Sequence, residues 1–401
     1  MFKQGLKYLL FLLILSFLVG SASSIFLWGL NFVQKLLIEW NAIWLLLPIT
    51  GIIFQSIKNF QPDLHKTGTN TFVEIIQQKE KKTSAFFSIY ILAATWLSHL
   101  AGASVGREGT ALQMGASISE KFSELFKFSQ VEKSIWIRAG VSAGFASVFG
   151  TPWAGAIFGL EINKVGEISW KSILPCISSA FLANWVSLHV YNTNHTFYPV
   201  VFLPSQNLSF WVHIAILGLF LSAIAYLYTA LESNIFKWAE QLPKHYILKG
   251  IISGSIVYFI LQSTFFQSSI GLGSEKLLEP FSPKLESFFF IKKLIATCLS
   301  LGLGFKGGEA TPLFLIGSHA GAWISQFVSI PIALGAAIGF VALYCGLAKT
   351  PITGMILGIE LFSYKGWLVY LMCTIIVIYF SGKKGLFSSQ EWSQNIPKPK
   401  Y

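Results

Sequence analysis

Between Leu9 and Leu36 the only charged residue is Lys35. A helix that crosses a bilayer needs about 20 mostly apolar residues, and a stretch this long and uniform has little other use. Residues 42–57, 85–100, 173–190, 211–231, 251–266 and 367–380 read in the same way. These runs are continuous, whereas barrel strands appear as weak alternating segments of about ten residues, so helices are expected. Only 12% of the residues are charged, about half the roughly 25% of soluble domains. The chain therefore reads as an all-α polytopic membrane protein with the lipid bilayer as its solvent.

Met1-Phe-Lys-Gln-Gly-Leu-Lys7 puts positive charge ahead of the first apolar run, which is also the outline of a signal peptide. That run outlasts a signal core of roughly 7–15 residues, so it is expected to stay as the first span. The net charge of +11 would suggest nucleic acid on a soluble protein. Here the positive-inside rule explains it, and no nucleic-acid partner is expected. Lys and Arg gather at 58–82, 121–138, 237–249 and 383–400, while 191–210 has none. The clusters and the C-terminus are placed in the cytoplasm, and 191–210 outside.

Much of the first half returns in the second. Thr151-Pro-x-x-Gly-x-Ile-x-Gly-x-Glu161 matches Thr350-Pro-x-x-Gly-x-Ile-x-Gly-x-Glu360 at an offset of 199 residues. Glu108 and Thr110 match Glu309 and Thr311 at an offset of 201. Two membrane repeats are expected, 1–200 and 201–401. Transporters built from repeats hold their sites between them, where broken helices present N-termini and irregular backbone lines a cavity.

Four breaks could aim helix N-termini inward: Gly68-Thr-Asn70, Gly106-Arg-Glu-Gly-Thr110, Gly307-Gly-Glu-Ala-Thr-Pro312 and Gly385-Leu-Phe-Ser388. Free N–H groups and the positive dipole end make each a candidate anion site. Backbone at Gly106, Arg107, Gly109 and Ala310 would contribute, and Thr69, Thr110 and Thr311 add hydroxyl donors. Such a site holds an anion without a full positive charge, so it can also release it. Glu108 would compete with that anion while charged and withdraw once protonated. It also reads as an ion-pair partner of Arg107 or as a carboxylate at a helix N-terminus. Glu309 occupies the corresponding place in the second half. Glu161 and Glu360, at helix ends, read as pairing or capping groups.

The four Cys form no CxxC pair, and the His residues stand apart from one another at no ligand spacing. No metal and no cofactor is expected. An enzyme would need a clustered nucleophile–base or metal set, which the sequence lacks. The chain is expected not to be an enzyme.

Gly106-Arg-Glu-Gly-Thr110, the paired Thr-Pro-x-x-Gly-x-x-x-x-x-Glu segments and Gly307-Gly-Glu-Ala-Thr-Pro-Leu-Phe314 resemble the CLC family of chloride channels and anion/proton exchangers. The resemblance runs in order along nearly the whole chain. It implies the CLC fold of two inverted-topology repeats whose broken helices meet at mid-membrane. It also implies a homodimer with one anion pathway per subunit, and it matches Glu108 to the gating glutamate that takes the exchanged proton. The CBS domains found in many members are expected to be absent. Thr69 stands where the family's chloride-coordinating serine would be, within Gly68-Thr-Asn-Thr-Phe72. Glu309-Ala-Thr-Pro312 replaces the usual Gly-x-Phe-x-Pro turn, Ile162 replaces an inner glutamate, and Phe387 stands at the pathway tyrosine. A Glu-x-Thr-Pro turn without the inner glutamate is similar to the bacterial fluoride/proton antiporter branch. The resemblance thus implies a multi-pass protein of the bacterial inner membrane that exchanges fluoride or chloride for protons. In that branch, residues matching Glu309 and Thr311 take part in the pathway. A passive voltage- or pH-gated chloride channel of the same fold is the alternative.

Overall fold

The computed structural model describes residues 2–40, 43–79, 81–282, 285–394 and 398. Ala42, the expected start of the second span, and Lys400 of the basic tail lie outside them. A first series of helices comprises α1 (Phe2–Glu39), α2 (Leu46–Phe60), α3 (Pro62–Lys66), α4 (Thr69–Ile76), α5 (Phe87–Leu100), α6 (Glu108–Leu125), α7 (Gln130–Phe149), α8 (Pro152–Glu161) and α9 (Ile173–Trp185). A second comprises α10 (Leu208–Glu240), α11 (Tyr246–Gln262), α12 (Phe289–Gly302), α13 (Ala310–Ile324), α14 (Ile332–Leu347), α15 (Pro351–Leu361) and α16 (Trp367–Phe380). Two-residue strands, β1 (Lys164–Val165) and β2 (Glu391–Trp392), pair in parallel.

Only three helical stretches among the described residues are long and apolar enough to cross a bilayer alone: Lys3–Glu39, Trp170–Val190 and Leu208–Glu240. Most of the others are short, so the apolar runs are partly broken helices that stop within the protein. The run expected at 251–266 is a helix over Tyr246–Gln262 instead. The Lys292-Lys293 pair lies inside α12, which passes through it unbroken. Lys293 is fully buried, and its ammonium donates to the carbonyls of Ser269 (3.1 Å) and Gly271 (2.7 Å). Lys292 instead pairs with Glu286 at 2.8 Å.

The helix pairs α6–α7 and α13–α14 are packed backbone to backbone. A Cβ on Gly140 would lie 2.3 Å from the Gly115 carbonyl oxygen, and one on Gly339 2.0 Å from that of Gly317. Small residues that let helix backbones touch are how helices associate in lipid, where apolar burial gives no preference for protein over tails. The same device at matching places in both series reflects the repeat.

The last broken helices are tied to each other. Glu161, at the end of α8, accepts from the N–H groups of Ile352 (3.0 Å) and Thr353 (2.7 Å) and from the Thr353 hydroxyl (2.7 Å) at the start of α15. Glu360, near the end of α15, accepts from the N–H groups of Trp153 (2.9 Å) and Ala154 (2.7 Å) at the start of α8. The two helices are therefore antiparallel, and each supplies the carboxylate cap that the other's unpaired first-turn N–H groups require. The capping role read from sequence is thus met across the repeats rather than within one.

Candidate functional site

The segments leading into α6 and α13 cross one another. The Gly106 N–H donates to the Gly308 carbonyl at 2.6 Å, and the Gly308 N–H donates back to the Gly106 carbonyl at 2.7 Å. Only glycine fits here, because a Cβ on Gly109 would meet Gly308 Cα at 2.8 Å and one on Gly308 would meet Gly109 N at 2.6 Å. This corrects one expectation. The Gly106 N–H was expected to face an anion, but it is committed to the crossing.

Just beyond the crossing both helices begin, and Glu108 lies between them, fully buried. One carboxylate oxygen accepts from Arg107 Nε at 3.1 Å. The other accepts the hydroxyl of Thr311, and Thr311 Oγ1 in turn accepts from the Arg107 N–H at 3.4 Å. Both bland readings of Glu108 are therefore realised: it pairs with Arg107 and it starts a helix. The third partner, Thr311, comes from the second series. N–H groups in the first turns of α6 and α13 have no intrahelical partners, and both dipoles favour negative charge at this point. Glu108, Gly109 and Thr110 open one helix and Ala310 and Thr311 the other, followed by Pro312, which has no N–H to orphan. The Thr110 hydroxyl is not part of this cluster, since it pairs with Thr95 Oγ1 of α5 at 2.8 Å. Glu309 precedes α13, and its Oε2 is buried without a partner.

Thr69 lies at another level. Its Oγ1 accepts from Gln113 Nε2 at 3.2 Å. Gln113 is five residues beyond Glu108 on α6, a rise of about 7.5 Å. Thr69 opens α4, behind Gly68 as its cap residue. No helix starts at Gly385-Leu-Phe-Ser388, where the fourth inward N-terminus was expected. The segment is held as a turn against α4 instead. The Ser389 N–H donates to Asn70 Oδ1 (3.1 Å), its hydroxyl to Glu74 Oε1 (3.0 Å), and Gln77 Nε2 to its carbonyl (2.7 Å). This brings Phe387 close to the start of α4. Its ring packs edge-on against Phe158, with centroids 6.2 Å apart, and borders a cavity of about 350 Å³. The expected residues thus form two levels: Arg107, Glu108, Gly109, Glu309, Ala310 and Thr311 at the crossing, and Thr69 and Phe387 below it.

Two lysines stand near the lower level. Lys306 Nζ donates to the His65 carbonyl at 3.0 Å. Burial first, and then the charges of Lys306 and Lys58, push the His65 pKa down to about 3. His65 therefore stays neutral near pH 7.

The motifs did not point to four residues near the site. Gln113 faces Thr69, and Glu232 borders the cavity beside Phe387. Tyr198 and Tyr344 both lie close enough to Glu108 to feel its charge. Tyr344 has a sequence signal in retrospect, as a phenol within the otherwise apolar stretch Ile332–Leu347. Tyr198 belongs to a loop with no pattern.

A sequence model of the voltage gated chloride channels matches residues 49–382. The chain is similar to a chloride/fluoride channel protein of Pseudomonas syringae pv. tomato, with 30% identity over 395 residues, covering 96% of this chain and 86% of that protein. It is 24% identical over 307 residues to an H(+)/Cl(−) exchange transporter of Vibrio vulnificus, covering 72% of this chain and 65% of the relative. Among solved structures, a CLC-type fluoride/proton antiporter matches with a TM-score of 0.91 at 25% identity, over 96% of this chain and 97% of that one. A slow cyanobacterial Cl−/H+ antiporter matches with a TM-score of 0.76 at 21% identity, a likeness of fold.

Proposed function

Because this chain belongs to the voltage-gated chloride channel family, we propose that it exchanges halide ions for protons across a membrane, with fluoride preferred over chloride. One observation carries the reading: Glu108 is fully buried between two helix N-termini and is held there by Thr311 of the other repeat. The donors that stabilise this carboxylate are those an incoming halide would use. Two unit negative charges about 4 Å apart repel by about 4 kcal/mol at an effective dielectric of roughly 20, about a thousandfold in occupancy. Carboxylate and halide therefore exclude one another until Glu108 takes a proton or swings away. That exclusion links anion movement to proton movement.

The binding roles follow the two levels. At the crossing, the Arg107 Nε–H, the N–H groups of Gly109, Thr110 and Ala310 and the hydroxyl of Thr311 receive the anion. Glu309 handles the proton beside it, and Thr69 and Phe387 line the inner stretch. Fluoride is small and strongly hydrated, so it needs strong donors in place of water. Thr311 and a protonated Glu309 would supply them. The reading further takes 1–200 and 201–401 as the two repeats, the functional unit as a homodimer, and the location as the bacterial inner membrane with the C-terminus in the cytoplasm.

The test is flux from purified protein in liposomes. A fluoride gradient should drive protons in the opposite direction, and Glu108→Gln should abolish that coupling. Ready passage of chloride with poor passage of fluoride would remove the fluoride preference. A reversal potential indifferent to a pH gradient would make the protein a passive channel.

A further inference from the structure

Toward its inner end, α10 carries Tyr228 and Glu232, four residues apart and so on one face with Cβ atoms about 6 Å from each other. Helical side chains lean toward the N-terminus, which brings the Glu232 carboxyl back over the turn of Tyr228. Tyr228 is fully buried, and its hydroxyl has no hydrogen-bond partner. Glu309 Oε2 is buried and also unpartnered. The carboxylates of Glu309 and Glu232 both act on Tyr228 through space, and on each other. Two orphaned polar groups, one of them at the crossing, thus lie in electrostatic range of Glu232.

Glu232 itself faces the cavity of about 350 Å³, room for roughly ten waters at about 30 Å³ each. Lys349, Lys383 and Lys384 stand around the same space, with Phe387 at its edge. Lys349 is held by the carbonyls of Ile378 (2.9 Å) and Gly382 (3.0 Å) and by Ser381 Oγ (3.1 Å). From the elements packed on α10, the titratable groups in range are Glu309 ahead of α13, Cys298 of α12 and Tyr344 of α14. Cys298 Sγ lies 3.6 Å from the Tyr228 carbonyl, and Tyr344 feels Glu309. A lysine-lined chamber concentrates anions and repels hydronium. Protons entering from this side therefore need a carboxylate in the wall.

We propose that Glu232 is the inner proton-loading residue, passing protons through the Tyr228 hydroxyl to Glu309. The proposal rests on the antiporter reading above. A proton from cavity water adds to the Glu232 carboxylate. Tyr228 oxygen then accepts it while releasing its own proton to Glu309. Tyr228 ends neutral, Glu232 is again a carboxylate, and no electrons move. Thr311, two residues beyond Glu309, already hydrogen-bonds Glu108, which places the receiving end beside the gate.

The experiment measures proton and fluoride flux from full-length protein in liposomes for wild type, Glu232→Gln, Glu232→Asp, Tyr228→Phe and Glu108→Gln. Glu232→Gln should slow proton flux by about a hundredfold or more, the contribution of a positioned proton-transfer group. Fluoride binding measured by calorimetry should be unchanged, a split that a merely structural role would not produce. Glu232→Asp should restore most of the proton flux, and Tyr228→Phe should slow it. Wild-type proton flux in Glu232→Gln would overturn the proposal. If that variant is not monodisperse, Tyr228→Phe decides, and wild-type flux there overturns the relay. Coupling that survives in Glu108→Gln would instead sink the antiporter reading. Loss in Glu108→Gln with none in Glu232→Gln would sink the relay alone.

Discussion

Thr311 gives its hydroxyl to Glu108 and accepts the Arg107 N–H. Thr311→Val keeps the shape and removes both contacts. A hydrogen bond to a charged group contributes about 1.5–3 kcal/mol, so fluoride affinity measured by calorimetry should fall by about tenfold or more, and Thr311→Ser should retain it. Glu108 and Thr311 were legible in the sequence because each sits in a glycine-rich motif that recurs in the other half. Gln113 was not, since it meets Thr69 only once α4 is docked on α6. The Gly106 N–H misled for a related reason. A glycine-rich turn advertises free donors, and only the crossing with Gly308 reveals where they go.

The glycine seams and the reciprocal caps bear most directly on whether the broken helices form. Gly339→Val would push a side chain into the Gly317 carbonyl, which lies 2.0 Å from the Cβ position. Loss of monodisperse protein in gel filtration is the expected outcome. Glu161→Ala would leave the Ile352 and Thr353 N–H groups without their acceptor. At about 1–3 kcal/mol for such an orphaned group, the melting temperature in detergent should drop, with Glu360→Ala acting likewise at the other end. A uniform apolar run such as 367–380 was readable to within a residue, as the helix Trp367–Phe380. The turn at Gly385–Ser388 was not. Its Gly and Ser residues resemble a helix start, but Ser389 bonds to Asn70, Glu74 and Gln77 instead of continuing a helix. The burial of Lys293 inside α12 had no signal in the sequence either, because the carbonyls that accept its ammonium come from residues some 20 positions earlier.

For the molecule as a whole, the charge bias of the loops predicts orientation. All four cysteines are buried, so labelling background should be low. Asn194→Cys, exposed in the loop without Lys or Arg, should react with a membrane-impermeant maleimide on intact cells. Lys384→Cys should react only after permeabilisation. Reversed labelling would overturn the cytoplasmic assignment of the C-terminus. The two-repeat plan was visible in the sequence through its offsets. What it did not show was that the repeats exchange capping groups. That exchange sets a delay in biosynthesis. Glu360 lies 206 residues after Ala154, and at about 5–20 residues per second the ribosome needs roughly 10–40 s to deliver it. Until then the first-turn donors of α8 lack their cap, and unsatisfied backbone in a membrane is costly. The nascent first half is therefore an unfinished client of the insertion machinery, and a chain stopped before Glu360 should be cleared rather than accumulate as a folded half.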